Sequence, residues 1–103
     1  MRMWNVPVEE MCNKHLLGEH VEMHMFVGCL NLNKSVEGYV NGGLVEIQNI
    51  GKRHKEISKE MLRRGMNHKS KLPNYKKQKL GKVNVEKSVR DLKKRCKECR
   101  RKL

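Results

Sequence analysis

The stretch PVEEMCNKHLLGEHVEMHMFVGCL, residues 7–30, decides the fold. Pro7 suits the first turn of a helix, Glu9 and Glu10 favour its positive end, and apolar residues then recur at helical spacing to about Leu30. At 100° per residue, Val8, Cys12, His15, Glu19, Glu22, Met23, Phe26 and Leu30 fall on one side. Three titratable groups therefore interrupt an apolar stripe. His15, Glu19 and Glu22 stand at i, i+4 and i+7, so they stack along one face within mutual reach. Ionised glutamates are rarely buried alone, so this face must line a cleft or meet cations. Two readings follow: a structural ion-pair network, or the floor of an active site whose carboxylate handles protons. His20 and His24, also at i and i+4, share another side of the wheel and read as partner-facing or plain surface residues rather than as a metal pair.

Downstream, Ser35 can cap a short helical turn that Asn41-Gly42-Gly43 closes. A second long helix is predicted from about Asn49 to Arg64, with the stripe Ile50, His54, Ile57 and Met61 and a stop at Gly65. From Met66 to Lys82 there are many lysines, Pro73 and Gly81, and no period, which predicts an irregular basic connection. Asn84 can cap a third helix, whose stripe Val85, Val89, Leu92, Cys96, Cys99 and Leu103 keeps a spacing of four and three to the end. The chain has 103 residues, enough for one modest core. The expected architecture is all-α: a single-domain bundle of three main helices over residues 1–103, with irregular basic loops.

Charge narrows the function. Residues 1–51 hold Arg2, Lys14 and Lys34 against six glutamates, whereas residues 52–103 hold 21 Lys and Arg against five acids. The net charge of +13 is thus the balance of −3 in one half and +16 in the other. A half-chain this basic suits a polyanion, and nucleic acid is the first reading, because phosphate neutralisation releases counterions. A merely solvated basic face and an anionic membrane surface are the alternatives. The second lacks a strongly apolar opposing face with Trp or Phe. No stretch approaches the about 20 apolar residues that span a bilayer, and the first ten residues have no export-signal core. An intracellular, cytoplasmic protein, nucleoid-associated or virus-encoded, is expected, without a membrane partner and monomeric.

Four cysteines in a reducing compartment are buried thiols or metal ligands before they are disulfides. Cys12-x-x-His15 and Cys96-x-x-Cys99 each have ligand spacing and together could hold tetrahedral zinc. All four cysteines also lie near apolar stripes, where free Cys behaves as a small hydrophobe. Core packing is the reading adopted, so neither metal nor cofactor is expected.

Arg2, Asn5, His15-Leu16, Glu19 and Glu22 carry a family resemblance, supported by Phe26, Gly28, Tyr39-Val40-Asn41-Gly42 and the run from Glu60 to Asn67. The chain resembles the pyrimidine-dimer DNA glycosylases with AP lyase activity, with the loop Asn67 to Pro73 and the Cys96–Cys99 end suggesting a compact branch. The resemblance implies an all-helical fold, binding of damaged or abasic duplex DNA, and extrusion of a nucleotide. It further implies attack of the N-terminal amine on the deoxyribose C1′, then strand cleavage by elimination from the imine. In these terms Met1 supplies the amine, Glu22 matches the catalytic glutamate, Arg2 lies beside the nucleophile, and His15 and Glu19 border the site. Val21 and Met25 stand where the family has phosphate-gripping arginines, with His24 the nearest polar substitute. The segment between Gly43 and Ile50 is shorter than in the family's phage member, and the family's aromatic C-terminal tail is absent. Residues expected to bind DNA are His24, Lys52, Arg53, Arg63, Arg64, Asn67, His68, Lys69, Lys71, Lys76 and Lys77.

Ordinary chemistry agrees with an amine at the chain start. An α-amine titrates near 7.7 to 8 and is roughly a tenth neutral at pH 7, whereas a lysine near 10.4 is neutral in fewer than about one molecule per thousand. Bulky Arg2 favours retention of the initiator methionine. The competing functions are an AP lyase or glycosylase for another lesion, and a non-catalytic DNA-binding protein.

Overall fold

The computed structural model describes every residue except Lys69. Five helices form, and no strand occurs among the described residues: α1 (Asn13–Asn31), α2 (Glu37–Asn41), α3 (Ile50–Arg63), α4 (Val85–Arg95) and α5 (Lys97–Lys102). The long ones, α1, α3 and α4, are the three main helices expected. Leu16, Met23, Phe26 and Val27 of α1 meet Ile50, Ile57 and Met61 of α3 in the core, joined by Leu92 of α4. Each such side chain contributes about 1.5–3 kcal/mol by leaving water. Asn84 caps α4 as expected, its Oδ1 accepting from Lys87 N–H at 3.1 Å. Gly65, with φ of +80°, ends α3 in the left-handed region that favours glycine.

Two expectations about helix bounds fail. The first helix begins at Asn13, not at Pro7: residues Val8–Glu10 form a separate 3-10 turn, and Met11 and Cys12 are extended. The cause is a cap, since Cys12 Sγ accepts from His15 N–H at 3.5 Å and starts the helix there. The last helix does not run unbroken to Leu103. Cys96 is extended (φ −131°, ψ 115°) and caps α5 through its sulfur, which accepts from Cys99 N–H at 3.4 Å. Periodicity continues across the break, so spacing alone could not reveal it.

The connection from Met66 to Lys82 has no regular structure, as expected, yet it is fastened to the start of α3. Tyr75 donates its hydroxyl to Ile47 O at 2.9 Å and accepts from Gly51 N–H at 3.1 Å. Ile47 N–H donates to Leu80 O at 2.9 Å. The Glu46 carboxylate accepts from Val83 N–H at 2.8 Å, from Asn49 at 2.7 Å and from Asn5 at 3.2 Å. At Gly81, φ is +91° and an added Cβ would lie 2.1 Å from Val45 O, so only glycine permits this crossing.

The chain start is equally constrained. Met3, Trp4 and Val6 are buried, Met3 N–H donates to Leu44 O at 2.6 Å, and Trp4 N–H donates to Glu19 Oε2 at 3.2 Å. Asn5 takes a left-handed φ of 59°, which Asn tolerates better than most residues. Residues 1–6 thus lie along the Glu19 and Glu22 face of α1.

Candidate active site

The anchored chain start opens onto a cavity of about 310 Å³ lined by Met1, Arg2, Trp4, Glu22, Leu44 and Arg95. An adjoining hollow of about 240 Å³ shares Trp4, Glu22 and Arg95 and adds Lys14, His15, Gly18 and Glu19. The residues picked out on the first helix therefore border one concave surface together with Met1 and Arg2. A larger hollow of about 570 Å³ at residues 82–86 brings together only the exposed Lys82 and Glu86 as charged groups.

Glu22 and Glu19 differ in kind. Burial raises the Glu22 carboxyl above its ordinary value, and the Arg2 N–H and the charged chain start oppose that rise in part. Glu19 is wholly buried and spent on structure. It accepts from Arg53 Nε at 2.6 Å and Nη2 at 2.9 Å, besides the Trp4 N–H. His15 is held below its ordinary value by burial, then by Lys14 and Arg95. Its ring stands edge-on to Trp4, at 6.0 Å between centroids. Arg2 lies 3.8 Å over the Trp4 ring and pairs with Asp91 at 3.1 Å. Arg95 approaches the same ring at 5.6 Å.

Trp4, Leu44, Asp91 and Arg95 were not expected at the site. A lone Trp beside the chain start is a readable hint, whereas nothing in a run of basic residues singles out Arg95.

The expected DNA-binding residues divide. Lys52, Arg63, Asn67, Lys71, Lys76 and Lys77 are exposed. Arg53 is not available to DNA: it is buried, and its guanidinium is committed to Glu19 and to Met11 Sδ at 3.3 Å. Arg64 is also withdrawn, because it bonds Glu60, Asn13 Oδ1, and the carbonyls of Val8 and Met11 that precede α1. Lys69 lies outside the described residues.

His24 and His68 belong to a cluster rather than to open surface. Their rings and those of His20 and His54 lie 4.7 to 5.2 Å apart between neighbouring centroids. His20, expected at the surface, is buried there. The Nε2 atoms of His68 and His20 are 2.7 Å apart, and those of His24 and His54 are 3.1 Å apart, both within hydrogen-bond range. Burial, and then the neighbouring histidines, holds His20 and His54 down at about 4.

A second cluster joins Cys12, His15, Cys96 and Cys99, whose Sγ and Nδ1 or Nε2 atoms all lie within 4.8 Å of one another. Burial pushes the Cys99 thiol up to about 12, while the Cys99 N–H holds Cys96 below its ordinary value. Cys29 stands apart, half-buried against the core, as the packing reading expects.

A helical fold with this pocket defines a class only when the sequence is matched to known families. The family model described as Pyrimidine dimer DNA glycosylase matches residues 1–74, which makes the class DNA excision repair. The chain belongs to the pyrimidine dimer DNA glycosylase family. No curated protein and no solved structure matches it. The family match ends at Asn74, so α4 and α5 lie beyond it.

Proposed function

We propose that this protein is a pyrimidine-dimer DNA glycosylase with AP lyase activity that works through the amine of Met1. The observation that carries the reading is the shared cavity: Met1 and Glu22 line one hollow, and the backbone around Met1 is fixed by the Met3 and Trp4 hydrogen bonds. The neutral amine attacks C1′ of an extruded nucleotide as the glycosidic bond breaks, and the base leaves with the bonding electrons. Glu22 takes the proton the amine sheds and returns it as the sugar ring opens at C1′–O4′ to give an imine. Loss of a C2′ proton then expels the 3′ phosphate. The ionised Glu22 also steadies the positive charge that develops at the sugar.

The neighbours position these two groups. Arg2 is clamped by Asp91, Ser88 and Trp4, which fixes its guanidinium at the wall of the cavity. Glu19 is a positioning residue that holds Trp4 and Arg53. The exposed Lys52, Asn67, Lys71, Lys76 and Lys77, and Arg63 where it is released from its pairing with Glu60, are assigned to the duplex, with little base readout, because repair enzymes read distortion.

The test is borohydride trapping on abasic and UV-irradiated duplexes. A covalent adduct that disappears when the N-terminus is acetylated or extended is the expected result. DNA binding without any adduct would return the chain to a non-catalytic DNA-binding role. An adduct with abasic DNA but no release of dimers would make it a lyase for another lesion.

A further inference from the structure

We infer that Cys12, His15, Cys96 and Cys99 form a structural zinc site that fastens the C-terminal arm to the start of α1. The distances fit the ion. Tetrahedral zinc with Zn–S of about 2.3 Å and Zn–N of about 2.05 Å sets S···S edges of about 3.8 Å and S···N edges of about 3.5 Å. Here Cys12 Sγ lies 3.7 Å from Cys96 Sγ and 3.2 Å from His15 Nδ1, and Cys99 Sγ lies 3.6 Å from the same nitrogen. None of these contacts is a disulfide length.

The backbone around the sulfurs supplies the second argument. Cys12 Sγ accepts from His15 N–H at 3.5 Å, Cys96 Sγ from Cys99 N–H at 3.4 Å, and Cys99 Sγ from Cys12 N–H at 3.5 Å. A neutral thiol in a core is a weak acceptor and needs no such partners, whereas a metal-bound thiolate is stabilised by each of them. Two of these bonds are also the helix caps that start α1 and break α4 from α5. The sequence interruptions that periodicity missed are thus the places where the ligands converge. Binding releases three thiol protons to solvent and leaves the site at a net charge of −1, beside the basic arm.

The ligand pairs are 84 residues apart, and the second lies beyond the family match. The ion would therefore fix α4 and α5 against α1. It would also hold Arg95, the residue before Cys96, at the cavity that contains Glu22. His15 also borders the hollow beside Glu22 but takes no step in the reaction described above, so the test does not depend on that reading.

Zinc is measured in the full chain purified under reductant, and cobalt(II) is then substituted. About one zinc per chain, a thiolate-to-cobalt charge-transfer band and a tetrahedral d–d spectrum are expected. Cys96→Ser and Cys99→Ser should each lower zinc content at least tenfold, while Cys29→Ser should leave it unchanged. A folded wild-type chain without zinc and without the cobalt–thiolate band overturns the inference, and needs no variant. So does zinc that survives Cys96→Ser but is lost on His54→Ala, which would assign the ion to the histidine cluster.

Discussion

The Glu19 carboxylate, fully buried, is closed by the Arg53 guanidinium in a two-pronged contact of 2.6 and 2.9 Å. Glu19 sits on α1 and Arg53 on α3, so the pair ties the two helices that pack most closely. It also receives the Trp4 N–H, and so carries the chain start with it. Removing one member strands a charge in the core. Arg53→Met should cost about 3–5 kcal/mol. Scaled to a domain of this size, that is a fall of about 12–40 °C in melting temperature. Calorimetry checks it, and a change below about 3 °C would mean that the pair is replaceable by packing.

Glu22→Gln separates chemistry from stability. The side chain lies half-buried at a cavity wall, so the fold should lose less than about 1 kcal/mol. The rate of imine trapping on abasic DNA should fall about 10²–10⁴-fold. Because burial raises the Glu22 carboxyl and the proposed mechanism uses its ionised form, wild-type activity should show an acid limb at a pH above the usual carboxylate range. A single-turnover pH profile checks it: because an amine must also be neutral to attack, two acid limbs should appear, and Glu22→Gln should remove only the one due to the carboxyl.

The histidine cluster predicts acid sensitivity of the fold. His20 and His54 are held down at about 4 against a free value of 6.5. They face His24 from α1, and His68 and Ser70 from the basic connection, with no carboxylate among these neighbours. Below pH 6.5 the unfolded chain takes up protons that the folded chain refuses until about 4, so stability must fall across that interval. The loss between pH 7.5 and 5 should be on the order of 2 kcal/mol, allowing for solvent screening. Urea unfolding at the two values measures it. His54→Phe should flatten the dependence, and an equally steep one would place its origin elsewhere.

Lys71, Lys76 and Lys77 are exposed on the segment that wraps the start of α3. If each meets a phosphate, replacing all three by Ala should weaken binding to damaged and undamaged duplexes alike. The slope of log K against log salt should also become shallower by about 2 to 3. Fluorescence anisotropy across a salt series reads both quantities. An unchanged slope would move the DNA to another face.

Much of this could be read directly from the residues. The three main helices, the stops at Gly43 and Gly65 and the Asn84 cap follow from period and local chemistry. So does the gathering of His15, Glu19 and Glu22 on one face. Two errors share a cause: Pro7 and the stripe through Cys96 both suggest continuous helix, but sulfur caps at Cys12 and Cys96 act on backbone N–H groups that no hydrophobic pattern registers. Arg53 and Arg64 read as surface cations because charge reports composition, not burial, and the groups that withdraw them, Glu19 for Arg53 and Val8, Met11 and Asn13 for Arg64, lie far away in sequence. The histidine cluster was invisible for the same reason, since His20, His54 and His68 meet only once α1, α3 and the basic connection are packed.

The pairing of Arg2 with Asp91 has a practical corollary. Residues 1–74 carry the family's signature, but the wall formed by Arg95 and the acid that holds Arg2 both come from α4. A protein trimmed at the edge of the recognisable homology would keep Met1 and Glu22 and lose the brace beside them. The pocket is thus built from more chain than the homologous segment, and shortened versions designed on homology alone would begin with one wall of it missing.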